Sequence, residues 1–292
     1  MKIIRIGTRE SRLACVQAEL VSNYIGQHCP GYEAQLVKLL TAGDRDLTKS
    51  LEEFGGKGAF VRELDIALVK GETDLSVHSL KDMPMEVSQA IPVIGYSRRE
   101  DARDVLVLPR GADQYDGQRP IGCSSIRRRV QLKELYPQAR VKPIRGNVPT
   151  RLKKLDAGEY GALVLAAAGL KRLGLSDRIS RYFSAEEMVP AAGQGIVCVQ
   201  GRQGRDYGYL DGFFDKEAKL CAVCEWAFMA YLNGGCSLPA GVYARIGQEG
   251  KLHVLGMYWD EQKGVCKMAM TGEADRPEEL GIRLAKALKG LE

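Results

Sequence analysis

Short apolar runs alternate with helical stripes from the first residues of the chain. Ile3-Ile4-Arg5-Ile6 has the make-up of a strand, and the segment after it puts Leu13, Val16, Leu20 and Tyr24 on one helical face. Gln35 to Leu40 predicts a second strand. Phe60, Leu64, Ala67 and Leu68 mark another amphipathic helix, and Asp74-Leu75-Ser76-Val77 opens a third strand. This βαβ rhythm predicts an α/β fold with a largely parallel sheet and helices on both faces. In such folds ligands bind beyond the carboxyl ends of the strands, where the Gly, Ser and Arg turns of this chain fall.

The pattern changes at the charged stretch Arg98 to Asp104, read as a crossover into a second domain. A second alternating series follows, with strands at Asp104–Leu108, Val141–Ile144 and Ala162–Leu165 and helices at Ser125–Tyr136 and Asn147–Ala157. Pro190-Ala191-Ala192-Gly193-Gln194-Gly195 is a glycine-rich joint before the strand Ile196–Val199, and the chain is expected to cross back there. From Asp215 the rhythm is different: a long helix to about Asn233, strands at Gly241–Ile246, Leu252–Trp259 and Val265–Met270, and a final helix after Pro277. The expected domains are therefore 1–97 with 194–212, 98–193, and a small α+β domain over 213–292.

Composition narrows the class without naming a function. At 292 residues the chain is long for one core. Its hydrophobic content of 45% and charged content of 27% are ordinary for a globular protein. A net charge of +5 suits an acidic small molecule at least as well as nucleic acid. No apolar run reaches membrane-span length, and Met1 leads straight into a strand pattern, so neither a membrane span nor a signal peptide is expected. The eight cysteines have no regular spacing and read as reduced thiols of a cytoplasmic protein.

Three arginine clusters carry the chemistry. Gly7-Thr8-Arg9-Glu10-Ser11, Gly122-Cys123-Ser124-Ser125-Ile126-Arg127-Arg128-Arg129 and Ile144-Arg145-Gly146-Asn147-Val148-Pro149-Thr150-Arg151 each place small polar residues at an expected helix N-terminus. Free N–H groups and the helix dipole attract anions there, and arginine adds a fork matched to carboxylate or phosphate. Taken alone, Arg127 to Arg129 is a solvated helix face, with at most two side chains able to serve one site. The second cluster, Arg145 with Arg151, tips the reading towards a polyanionic ligand.

Val77-His78-Ser79-Leu80-Lys81-Asp82-Met83-Pro84 supplies the acid–base candidate, an Asp beside a Lys where a strand meets a proline turn. His78 reads as a hydrogen-bonded structural residue. Asn233-Gly234-Gly235-Cys236 exposes a thiol on a glycine loop, suited to holding a cofactor covalently. Gly55-Gly56-Lys57-Gly58 lacks the ending of a Walker motif and reads as a lid. Cys221 and Cys224 have metal-type spacing with no second pair, so no metal site is expected.

In this order, these segments resemble the porphobilinogen deaminase (hydroxymethylbilane synthase) family, as do Leu170-Lys171-Arg172-Leu173-Gly174 and Pro190 to Gly195. The likeness runs over nearly the whole chain. It implies two doubly wound domains like periplasmic binding proteins, plus a small C-terminal domain. It also implies a dipyrromethane cofactor joined by a thioether to Cys236, and a transferase of tetrapyrrole and heme biosynthesis. Four porphobilinogens are added head to tail with loss of ammonia, and water releases the linear product. By resemblance Asp82 is catalytic, and Arg9, Ser11, Lys81, Ser124, Ser125, Arg127, Arg128, Arg145, Arg151, Arg172 and Gln194 bind cofactor and substrate. The mobile loop falls on Lys57 and Phe60. Cys123 stands where the family often has threonine, so a hydroxyl contact to the cofactor is expected to be absent. A monomer that hands its product to uroporphyrinogen-III synthase is implied as well. Two rivals predict otherwise. A non-catalytic binding protein for an acidic ligand gives Cys236 no role, and a nucleic-acid-binding protein fits poorly with the modest charge and the lack of interleaved aromatics.

Overall fold

The computed structural model describes residues 1–41, 61–233 and 238–290. In chain order the elements begin with strand β1 (Lys2–Arg9), helix α1 (Arg12–His28), β2 (Tyr32–Leu39), α2 (Arg62–Lys70), β3 (Leu75–Ser79) and β4 (Val93–Tyr96). There follow β5 (Asp104–Val107), β6 (Ile121–Gly122), α3 (Ile126–Leu135), β7 (Val141–Lys142), α4 (Val148–Asp156), β8 (Ala162–Ala166), α5 (Ala167–Arg172) and β9 (Arg181–Tyr182). The last are β10 (Val197–Gly201), α6 (Lys216–Tyr231), β11 (Ala240–Ile246), β12 (Leu252–Asp260), β13 (Gly264–Gly272) and α7 (Pro277–Lys289). They group into two compact units, Met1–Arg99 with Ile196–Lys219, and Glu100–Gly195 with Leu220–Glu292.

The first unit holds a five-stranded sheet in the order β2-β1-β3-β10-β4. β1 pairs parallel with β2 and β3, while β10 runs antiparallel to both β3 and β4. The sheet is thus less parallel than its βαβ rhythm predicts, because the strand that returns from the second unit inserts against the direction of its neighbours. Against one face, α1 buries Gln17, Ala18, Val21 and Ile25. The predicted face is therefore wrong by part of a turn. Leu20 points to solvent at 38% exposure, while Ala18, two positions earlier, is fully buried. On α2, Leu64, Ala67 and Leu68 are buried as expected.

The second unit repeats this design in the order β7-β6-β8-β5-β9. β6 pairs parallel with β7 and β8, and β5 runs antiparallel to β8 and β9. Alternate residues of β5 serve two cores. Val105 and Val107 pack with Leu152 and Leu155 of α4 and Leu170 of α5, whereas Leu106 packs with Leu132 of α3, Phe183 and Met188. Helices on both faces make the sheet doubly wound and explain why its strands read as unbroken apolar runs.

The same unit also carries the antiparallel sheet β11-β12-β13 with α6 and α7. Gly281 of α7 lies so close to the Cys224 carbonyl of α6 that any side chain there would collide with backbone. β11 presses on the joint segment: Val242 N donates to Pro190 O at 2.9 Å. A Cβ on Gly241 would sit 2.8 Å from the carbonyls of Val189 and Pro190.

Candidate active site

In the first unit the parallel register Ile6↔Leu75 and Gly7↔Ser76 brings the carboxyl ends of β1 and β3 to the same edge of the sheet. Arg9 ends β1, and Leu80–Asp82 forms a short 3-10 turn straight after β3. Leu80 is fully buried and Met83 nearly so, and Leu80 N donates to Ile196 O at 3.0 Å. With the turn pinned on its apolar side, Lys81 is half-buried and Asp82 exposed. Gln17 and Ser79 exchange hydrogen bonds of 2.8 and 3.1 Å, locking α1 to this end of β3. Ser11 is the N-cap of α1 and accepts from Ala14 N at 3.3 Å, so its hydroxyl serves the helix.

His78 and Cys198 face each other across β3 and β10. Burial pulls the His78 pKa down to about 4, and the charge of Arg9 acts in the same direction. The imidazole is neutral at pH 7, in keeping with a structural histidine. Burial pushes the Cys198 thiol up, with a smaller push in the same direction from the charge of Asp82.

In the second unit β6, β7 and β8 are parallel, so the loops at their carboxyl ends share one edge. Ser124 is exposed; its Oγ donates to Ile144 O at 2.6 Å and accepts from Ile144 N at 2.9 Å. That exchange holds the N-terminus of α3, which starts just after Ser125, next to the loop leading into α4. Asn147 caps α4 by accepting from Thr150 N at 3.0 Å. Arg145 and Arg151 are half-buried, and Arg151 Nε donates to Gly146 O at 2.7 Å. Two helix N-termini and two arginines thus meet at one edge, a donor set suited to carboxylates.

Arg127 and Arg128 are neither a solvated face nor turned wholly to a ligand. They are only 5% and 8% exposed and converge on Asp104, itself fully buried at the start of β5. Arg127 Nη1 donates to Asp104 Oδ2 at 2.7 Å and to Val189 O at 2.6 Å. Arg128 reaches Asp104 Oδ1 through Nη2 at 2.7 Å and Nε at 3.0 Å. Gln194, 1% exposed, donates to the same Oδ1 at 2.9 Å and to Ala102 O at 2.6 Å. Burial on its own raises the pKa of the Asp104 carboxyl. The two arginine charges and their hydrogen bonds outweigh it and hold the group well below the usual carboxylate range. Arg172 Nη2 donates to Gly195 O at 2.6 Å, and burial lowers its pKa from the ordinary arginine value.

Asp104 is absent from the sequence-based candidates. Its only local sign is a charged residue opening an otherwise apolar strand, because its partners lie 23, 24 and 90 residues away. Cys123 is 1% exposed and packed among core residues, and burial pushes its thiol up, so it presents no polar group to a ligand. Cys236, Lys57 and Phe60 lie outside the described residues. Among the described residues no helix is long and apolar enough to cross a membrane.

The family model of the porphobilinogen deaminase dipyromethane cofactor binding domain matches residues 4–208, and that of the porphobilinogen deaminase C-terminal domain matches residues 219–290. A porphobilinogen deaminase of Alkaliphilus oremlandii is 49% identical over 98% of this chain and 97% of its own length. One of Acetivibrio thermocellus is 50% identical over 98% of each chain. Among solved structures, the methionine binding protein MetQ matches at 12% identity with a TM-score of 0.46, over 72% of this chain and 88% of that one. Matched by family models from residue 4 to residue 290 apart from a ten-residue gap, the chain belongs to the porphobilinogen deaminase family.

Proposed function

We infer that this chain is a hydroxymethylbilane synthase, with Asp82 as its acid–base group and Cys236 as the attachment point of its cofactor. Four porphobilinogens are joined head to tail, each losing ammonia, and water releases the linear tetrapyrrole. The observation that carries the assignment of Asp82 is its exposed carboxylate on a turn pinned by Leu80 and Met83. Such a group is open to substrate yet fixed in position. Loss of ammonia leaves an electron-poor pyrrole ring, whose positive charge Asp82 stabilises. Once the new carbon–carbon bond has formed, the same carboxylate takes the proton that leaves the ring carbon.

The donor chemistry of the second unit fits the cofactor. Each pyrrole carries an acetate and a propionate, and the edge shared by α3 and α4 offers Ser124, Arg145, Arg151 and two sets of helix N–H groups. When bound, the dipyrromethane would supply the pyrrole carbon that takes the first incoming unit, each later one joining the unit before it. We assign Arg145, Arg151 and Ser124 to ligand carboxylates, with Ser125 presenting the N-terminus of α3. Arg9, Lys81 and Ser11 belong to the edge that carries Asp82. Arg127, Arg128, Arg172 and Gln194 complete the cofactor side, Lys57 and Phe60 the loop. The proposed enzyme has three domains, 1–97 with 194–212, 98–193 and 213–292, and works as a cytoplasmic monomer that passes its product to uroporphyrinogen-III synthase.

Asp82→Asn tests the assignment. An exposed isosteric change should leave the fold intact while ammonia release falls by about 10²–10⁴-fold. Activity within a few-fold of wild type assigns the proton transfer elsewhere.

A further inference from the structure

We propose that Asp104 is a positioning residue for loading the chain with its cofactor, acting through Arg127 and Arg128. The proposal rests on the reading that Cys236 carries a dipyrromethane and that these arginines serve its carboxylates. Loading is the demanding step for an arginine site, since the anionic ligand must find the guanidinium groups already oriented.

The surroundings of Asp104 supply that orientation. One carboxylate receives both guanidinium groups, with Arg128 placing two N–H donors on a single oxygen. Each arginine is tied by a second bond to a carbonyl of the unit's own framework, Val189 O at 2.6 Å for Arg127 and Val164 O at 3.2 Å for Arg128. Val189 is held in turn by Gln131, whose Oε1 accepts from Val189 N at 2.8 Å. Gln194 fixes the carboxylate from the other side, through its bond to Asp104 and its anchor on Ala102 O. The shared carboxylate keeps the two guanidinium groups from repelling each other apart. An arrangement built before the ligand arrives removes the cost of ordering two long side chains during binding.

The geometry distinguishes this role from mere support of the fold. Glu225 shows what support looks like nearby. Its two oxygens accept from Gly193 N and Ala244 N, both at 2.7 Å, and so join α6 to the joint segment and to β11. Asp104 instead spends three of its four side-chain bonds on the two arginines.

The test measures how fast full-length chain made without porphobilinogen gains the dipyrromethane mass on Cys236 once porphobilinogen is supplied. Wild type, Asp104→Asn, Gln194→Met and the core truncation Leu155→Ala are compared at a temperature where thermal unfolding shows all four folded. Asp104→Asn keeps the shape but turns an amide donor towards an arginine, and should load about ten-fold more slowly or worse. Gln194→Met removes one donor to Asp104 and no charge, and should load about three-fold more slowly. Leu155→Ala loses stability alone and should load at the wild-type rate. Loading of folded Asp104→Asn at the Leu155→Ala rate overturns the proposal. If Asp104→Asn does not fold, loading of Gln194→Met at the wild-type rate does so. Wild type that gains no mass on Cys236 refutes the attachment reading instead, and is told apart by that arm alone.

Discussion

At the scale of single residues, burial divides the polar side chains into two kinds of work. Asp82 is exposed on a pinned turn and open to chemistry, while Asp104 and His78 are closed off from solvent, Asp104 ordering two arginines and His78 buried within the sheet. His78 makes a pH prediction. Its folded pKa of about 4 lies below the ordinary value of 6.5, so between these two values the unfolded chain binds more protons. Its contribution is therefore complete above about pH 6.5 and lost as pH falls towards 4, with a total of about 3 kcal/mol. Asp65 works against it in part of that window, because burial raises its pKa to about 6 and favours the folded state on acidification. Urea unfolding of wild type and His78→Gln at several pH values isolates the histidine. The two stabilities should diverge as pH rises from 4 to 6.5 and run parallel above it. Parallel lines throughout would remove the buried-imidazole account.

At the scale of elements, the two arginine clusters separate. Arg145 and Arg151 stand half-buried at the N-terminus of α4, whereas Arg127 and Arg128 on α3 share a buried carboxylate. Arg127→Leu should strand that carboxylate and cost about 3–5 kcal/mol of stability, which denaturant titration measures. Arg145→Leu and Arg151→Leu should stay within about 1 kcal/mol of wild type in the same titration and instead stall chain growth, leaving intermediate adducts by mass spectrometry. If all three lose stability equally, the division is wrong. Gly241→Ala should destabilise by about 1–3 kcal/mol, since β11 has to draw away from the Val189 and Pro190 carbonyls. Much of this scale was legible in the chain. Val105-Leu106-Val107 and Ala162-Leu163-Val164-Leu165 announce strands covered on both faces, and Asn147 followed by Val148-Pro149 announces the start of α4. The buried face of α1 was not, because Gln17 and Ala18 carry no apolar signal. β6 and β7, at two residues each, are too short to leave a period.

At the scale of the whole molecule, one design is used twice. Each five-stranded sheet sets three parallel strands beside a reversed one, and each gathers its polar turns at the carboxyl edge of the parallel strands. The sequence motifs mark those turns well, because Gly, Ser and Arg cluster where the strands give way to helix N-termini. They mark the supports poorly: Asp104 and Gln194 are 90 residues apart, and only the fold brings them together. Chain growth as proposed depends on the thiol that follows the α6 helix. Its most direct test is the intact mass of the purified chain, with peptide mapping of the segment that contains Cys236. A covalent dipyrromethane on Cys236 is the predicted result. An unmodified chain that is fully active would contradict it.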